Sequence, residues 1–361
     1  MTVLSTSAAQ ASAYRSRRLP DLEEVRPDVF ALAFEMPASG LRHSFGYLLR
    51  DGNELHLVDV GSDSESNWTR LQDAVGALGR SVSDIATLTA THLHGDHTGL
   101  AGRLQATSGT RVTLHTADSE ALRSGDRYVE PALFDEWLEE WKVPVVERDP
   151  LRAAAGRPAT SAPFFEVDAT VSEGDTLRLS AHELRVIHTP GHTRGHIVLV
   201  DDAAKLLFTG DHVLPEVNTG VGLGGRMDGD DPIGDYLSAI DRLDGFADFE
   251  ALPGHGYRFS NVGERAAMLR EHYARRAREV EAVMAASPEA SVWDVAGRLR
   301  WTLGWENLSN TVKFSALCQT AMYVGRIASD HPARARAPFG AEPLKTDQQS
   351  LQRTNRRRGL T

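Results

Sequence analysis

Thr91-His92-Leu93-His94-Gly95-Asp96-His97-Thr98-Gly99 begins where the apolar, β-branched strand candidate at 85–91 ends. In an extended segment residues i and i+2 share a side, so His92 and His94 present two imidazoles to one point while Leu93 turns to the core. The chain then turns at Gly95, sending Asp96 and His97 to a neighbouring point where a carboxylate oxygen and a third imidazole meet. Three further segments repeat this grammar of apolar strand, small turn residue and ligand-type side chain. They are His188-Thr189-Pro190-Gly191-His192-Thr193-Arg194-Gly195-His196, Thr209-Gly210-Asp211-His212 and Leu252-Pro253-Gly254-His255-Gly256. A lone histidine at a strand end is ordinarily hydrogen-bonded or solvent-facing, but four ordered motifs holding eight of the 14 histidines are not explained by packing. Four such loops converging on one edge of a sheet would build one metal site on rigid supports.

Outward from these motifs the chain reads as strands and helices in succession. Residues 29–36, 44–50 and 54–60 are short apolar strands, the last two joined as a hairpin through Asp51-Gly52-Asn53. Trp68, Leu71, Val75 and Leu78 recur at helical spacing over 64–79, and a helix is also expected from Thr98. Residues 123–165 break the rhythm with prolines and the helix candidate LFDEWLEEW (133–141), which reads as an insertion over one face. Strands resume at 175–180, 183–189, 196–201 and 205–211. Two β-rich halves with helices between them give an α/β sandwich as the fold class.

Beyond residue 262 strand signals stop. Helical stretches at 264–285, 291–301 and 310–329 form a C-terminal helical appendage, expected over 263–335, which serves as scaffold, homodimer surface or substrate contact. Residues 1–27 read as a flexible arm and 336–361 as a polar, disordered tail. The catalytic domain is then 28–262.

The chain has 361 residues, 41% of them hydrophobic and 25% charged, which suits a large globular domain with additions and excludes wholesale disorder. Its net charge of -11 is the wrong sign for a surface that grips phosphate backbones, so no nucleic-acid partner is expected. No run reaches the roughly 18 apolar residues of a membrane helix. Cys318 is the only cysteine, which excludes an intrachain disulfide and thiolate-rich metal sites and points to a reducing, cytoplasmic setting.

The segments HLHGDH, TPGHTRGH, TGDH and PGHG, with Asp59 in LVDVG ahead of them, resemble in order and spacing the five motifs of the metallo-β-lactamase superfamily. The resemblance covers about 28–260 and implies an αββα sandwich with a binuclear metal site on one edge. It implies that His92, His94 and His192 bind one ion, that Asp96, His97 and His255 bind the second, and that Asp211 bridges them. The ions are expected to be Zn2+, with Mn2+ or Fe2+ as other occupants. Asp59 is similar to the carboxylate that orients a ligand histidine, unless it is simply a structural residue at a strand end. His196 and His188 stand outside the ligand set, with His196 behind it.

Asp211 sets the chain apart from the true β-lactamases, which lack a bridging carboxylate here, and makes it similar to glyoxalase II-type thioesterases, homoserine lactone lactonases and related esterases. The implied activity is hydrolysis of an ester, thioester or lactone of a small molecule by metal-activated hydroxide, with Asp96 and Asp211 as catalytic carboxylates. A mononuclear iron persulfide dioxygenase and a phosphodiesterase or nuclease of the same superfamily are the alternatives. Candidate substrate contacts are Trp137, in pocket wall or core; Arg226, paired with a substrate carboxylate or solvent-exposed; and His212, in the pocket or capping its loop.

Overall fold

The computed structural model describes residues 3–36, 41–124, 131–155, 165–223 and 230–330. A short strand β1 (Leu4–Ser5) and helix α1 (Ala8–Arg15) come first. Strands β2 (Glu23–Arg26), β3 (Val29–Glu35), β4 (His43–Asp51), β5 (Glu54–Val58), β6 (Ile85–Thr89), β7 (Arg111–His115) and β8 (Ala169–Val171) then form one seven-stranded sheet in chain order. Strands β9 (Thr176–Arg178), β10 (Glu183–His188), β11 (Ile197–Asp201), β12 (Leu206–Gly210), β13 (Glu250–Pro253) and β14 (Phe259–Ser260) form the second sheet, with β1 beyond β14 at its edge. Helices α2 (Glu65–Ala77), α3 (Gly95–Thr98), α4 (Ala101–Ser108), α5 (Thr116–Ser124), α6 (Pro131–Glu140) and α7 (Val145–Ala155) precede β8; α8 (Pro232–Asp241) precedes β13; and α9 (Val262–Ala286), α10 (Val292–Arg298) and α11 (Asn310–Asp330) close the chain.

The continuous apolar runs of β3 and β4 arise because both faces of their sheet are covered. Val29, Ala31 and Ala33 meet Val186, Leu199 and Phe208 between the sheets. Phe30, Leu32 and Phe34, alternate along the same strand, meet Trp68, Leu71 and Val75 of α2 outside. The second sheet is covered in the same way, with Ile187, Val198 and Val200 packing against Ile233 and Tyr236 of α8 and Leu269 and Tyr273 of α9. These layers make the αββα sandwich. Full burial of a side chain such as Leu71 contributes about 1.5–3 kcal/mol, so each helical layer is anchored by a few such residues.

The turn expected between β4 and β5 is a tight hairpin whose register closes on Asp51 opposite Glu54. The sheet then continues through parallel pairings from β5 to β8. In the second sheet β12 and β13 are parallel, and β10, antiparallel to β11, runs the same way as β12. As a result β5, β6, β10, β12 and β13 each lead into a motif loop on one edge of the sandwich.

Three expectations about the periphery change. The N-terminal segment is not a loose arm: β1 pairs with β14, β2 pairs with β3, and α1 is capped by Ser7 and buries Gln10 and Ala11. Its low hydrophobicity concealed this, because the helix docks through small residues. Helix α9 is a layer of the sandwich rather than part of an appendage. The insertion does not simply lie over one face, since Phe134, Trp137, Trp141 and Leu151 share a separate core with Val292, Ala296, Trp305 and Leu317 of the C-terminal helices. The tail at 336–361 lies outside the described residues, and no described helix is long and apolar enough to cross a membrane.

Candidate metal centre

Helix α3 begins at Gly95, earlier than Thr98, with His94 preceding its first turn. That single turn separates the motif into two groups of ligands. His92 and His94 lie in the bend between β6 and α3 with ring centroids 4.6 Å apart, while Asp96 and His97 project from the helical turn. Three sets of ligand atoms lie within 4.8 Å of one another: His92, His94 and His192; Asp96, His97 and His255; and His92, His97 and Asp211. All seven residues expected to hold metal are thus brought together.

The ring nitrogens facing inward can be identified from what their opposite nitrogens do. Nδ1 of His192 donates to the Gly220 carbonyl at 2.7 Å, Nδ1 of His255 to the His43 carbonyl at 2.7 Å, and Nε2 of His94 to the Leu223 carbonyl at 3.0 Å. A carbonyl can only accept, so these bonds place a proton on the outward nitrogen and, in the neutral ring, leave a lone pair on the inward one. His97 donates from Nδ1 to Asp59 at 2.9 Å. Thr91 Oγ1 donates to Asp59 at 2.8 Å and accepts from Nδ1 of His92 at 3.1 Å.

Consequently Nε2 of His92 and Nε2 of His192 face Nδ1 of His94 at 2.9 and 3.1 Å with no proton between them. Three lone pairs that close repel each other unless a cation lies among them. Nε2 of His97, Nε2 of His255 and Oδ1 of Asp211 are buried, and among the described residues none has a hydrogen-bond partner. These nitrogen and oxygen donors fit a divalent ion of the kind the family binds. Asp211 stands between the two groups, with Oδ2 3.5 Å from Nε2 of His192 and Oδ1 3.2 Å from Nε2 of His255 and 3.5 Å from Nε2 of His97.

Electrostatics separates the two halves. Burial, reinforced by neighbouring imidazoles, holds His92 well below its ordinary value and His192 at about 4, so both rings are neutral. Burial also opposes charge on His97, but Asp96, Asp59 and Asp211 outweigh it and raise its pKa to about 9. His255 is raised for the same reason by Asp211 and Asp96. Burial pushes the Asp96 and Asp211 carboxyls up, yet His97 and His255 keep both ionised. The carboxylate half is built to hold positive charge.

Asp59 is buried with a left-handed backbone at φ 61° and accepts from Thr91 N at 2.7 Å as well as from His97, so it orients the His97 ring. His196 lies behind the centre: its Nε2 accepts the Asp211 N–H at 3.1 Å, and its Nδ1 meets Thr189 Oγ1 at 2.8 Å. His188 stands outside, stacked on His115 with centroids 4.0 Å apart.

His212 borders neither of the cavities bounded by described residues. It is fully buried with its ring 4.9 Å from Tyr236, and burial lowers it to about 3. Trp137 stacks on Trp141 within the helical core, because the insertion helix turns its aromatic face to the C-terminal helices. Arg226 lies outside the described residues. A cavity of about 620 Å³ does open beside His192, bordered by Ala121, Thr193, Gly222 and Pro232.

One positioning residue escapes the motif reading. Asp118, buried in α5, accepts from Leu93 N at 2.8 Å, Gly195 N at 2.7 Å and Thr193 Oγ1 at 2.9 Å, tying the first motif loop to the second. The available sign was its place just past a strand end, at the same edge as the histidine motifs. A Cβ on Gly195 would lie 2.7 Å from the Asp118 side chain, so only glycine permits the approach.

Residues 39–255 match the model of the metallo-β-lactamase superfamily. This chain belongs to that superfamily. It is 33% identical over 248 residues to the acyl-coenzyme A thioesterase MBLAC2 of Bos taurus, a match covering 64% of this chain and 78% of that one. The match to the Homo sapiens form of that thioesterase spans 61% of the relative's length. The hydroxyacylglutathione hydrolase GloC of Haemophilus influenzae is 22% identical over 217 residues, covering 58% of this chain and 80% of that one. In fold, the chain is similar to the crystal structure of a beta-lactamase domain protein from Burkholderia ambifaria, with a TM-score of 0.71, 22% identity and coverage of 91% and 93%.

Proposed function

We propose that this chain is a binuclear hydrolase of small-molecule thioesters, with related esters and lactones as further substrates, and that its ions are zinc in the first instance. The observation that carries the reading is the division of the Asp211 carboxylate between two groups of bare imidazole nitrogens. His92, His94 and His192 would hold one ion and Asp96, His97 and His255 the other, with Asp211 common to both. When bound, such ions supply Lewis acidity, polarising a carbonyl and lowering the pKa of water toward ~7.

The chain's own groups do the rest. Asp59 keeps the proton on Nδ1 of His97, and His196 holds the backbone of Asp211. Asp96 has the most exposed carboxylate of the cluster, at 19%, and is the group placed to accept a proton and return it to a leaving thiolate or alkoxide. The cavity beside His192 receives the acyl or thiol portion. Thioesters come first because relatives of two kinds carry names of thioester hydrolases.

The test is a panel of acyl-coenzyme A, S-acylglutathione, lactone and aryl ester substrates assayed with the zinc-loaded chain, beside His94→Ala and Asp211→Asn. Turnover should be highest on a thioester and fall roughly a hundredfold or more in both variants. Equal rates in the variants, or oxygen uptake on persulfides with one iron per chain, would overturn the reading.

A further inference from the structure

A second cavity, of about 430 Å³, lies between α9 and residues 300–302 and is lined by His272, Arg275, Arg276, Glu279, Arg300 and Trp301, with Asn218 at its border. Its lining is unbalanced in charge: three arginines stand beside one glutamate, on a chain whose net charge is -11. Arg276 is committed to the fold, bonded to Glu279 at 2.9 Å and to the Arg300 carbonyl at 3.0 Å, with its guanidinium 4.5 Å from the Trp301 ring. Arg275 and Arg300 are exposed, and among the described residues neither has a carboxylate partner. Neighbouring arginines differ: Arg270 is bonded to Asp241 at 3.0 Å and Arg278 to Glu271 at 2.7 Å.

His272 adds a donor. Its Nδ1 accepts from Asn218 Nδ2 at 3.1 Å and from Arg275 at 3.3 Å, which leaves the ring proton on Nε2. Like charges gathered in one concavity repel each other until an anion neutralises them. The surplus of two positive charges suits a dianion better than a single carboxylate, and arginine forks match the oxygens of a phosphate.

The cavity is also wired to the candidate metal centre. Asn218 stands two residues before Gly220, whose carbonyl receives Nδ1 of His192, and two residues span at most about 7 Å. Between them, Thr219 donates to the Asp211 carbonyl at 2.8 Å and its own carbonyl accepts from Tyr273, the residue after His272.

We propose that this cavity binds a phosphate group of a small molecule through Arg275, Arg300 and His272. The phosphate belongs either to the leaving group of the substrate or to a separate effector. Binding itself does not rest on the hydrolase reading, so it is measured directly, by calorimetric titration of pyrophosphate into the full chain in phosphate-free buffer. The comparison is with the double variant Arg275→Ala/Arg300→Ala and with Arg278→Ala, an exposed arginine outside the cavity. Wild type and Arg278→Ala should bind alike and the double variant roughly tenfold or more weakly, with an unchanged melting temperature. No binding to wild type, or binding that survives the double substitution and so belongs to the metal centre, would overturn the proposal.

Kinetics separates the two sources. If the phosphate is on the substrate, the double variant raises KM about tenfold only for thioesters with a phosphorylated leaving group. If it is an effector, added pyrophosphate changes turnover of an unphosphorylated thioester in wild type and not in the double variant.

Discussion

The Asp118 carboxylate accepts the backbone N–H of Gly195 at 2.7 Å, and its other oxygen accepts that of Leu93 at 2.8 Å. One buried side chain therefore sets the spacing between the loop carrying His92 and His94 and the loop carrying His192. Replacing it by alanine strands two buried N–H groups and the Thr193 hydroxyl, at a cost of at least about 2 kcal/mol. Urea unfolding should show that loss, and metal affinity should fall with it. Asp118→Asn keeps one acceptor and should lie between the two; wild-type stability in Asp118→Ala would refute the clamp.

Asp59→Asn tests orientation apart from packing. Asparagine tolerates the left-handed backbone at this position, so the fold should persist. Its amide, however, cannot accept at both oxygens from Thr91 and His97. Metal affinity, measured by competition with a chromophoric chelator, should fall about 10- to 100-fold with little change in melting temperature. An unchanged affinity would make Asp59 merely a strand-end residue.

Gly254→Ala should abolish the centre from the backbone side. A Cβ there would lie 2.7 Å from Cε1 of His97 and run into Oδ1 of Asp211. Gly245→Ala, where a Cβ meets nothing within 4 Å, is the matched control. Activity and bound metal should disappear in the first variant and persist in the second.

Away from the centre, His182 and Asp201 make a pH-dependent contribution to stability through a 2.6 Å contact. The hydrogen bond to Asp201, against some burial, raises His182 above its usual 6.5, while the same contact and neighbouring amides hold Asp201 low against its own burial. Because the folded pKa of His182 exceeds the unfolded one, its contribution is complete below about pH 6.5 and is lost as pH rises through the folded value. Asp201 contributes above about pH 3.9 and loses its share as pH falls below that. His182→Asn should thus destabilise the chain clearly at pH 5.5 and hardly at pH 9 by urea unfolding; a pH-independent difference would exclude the ion pair.

The two sheets and the clustered histidines were legible because each depends on local pattern: short apolar runs bounded by turns, and turn residues that fix where His92, His192 and His255 emerge; the resemblance to the family's motifs completed the set of seven. What remained hidden depends on partners distant in sequence. Nothing around Trp137 indicates that its helix packs on residues 292–317 rather than on the cavity beside His192, since helical spacing reveals a buried face and not what buries it. His212 shows the converse: its place in a motif suggested chemistry, and the structure shows its ring fully buried. Asp118 belongs to no motif, and its three bonds reach across 25 to 77 residues.

Elemental analysis of metal-loaded, gel-filtered chain beside Asp211→Ala tests the central claim most directly. Asp211 placed between two groups of bare nitrogens predicts two divalent ions per wild-type chain and a loss of at least one in the variant. Fewer than one ion per wild-type chain, or two ions undiminished in Asp211→Ala, would contradict it.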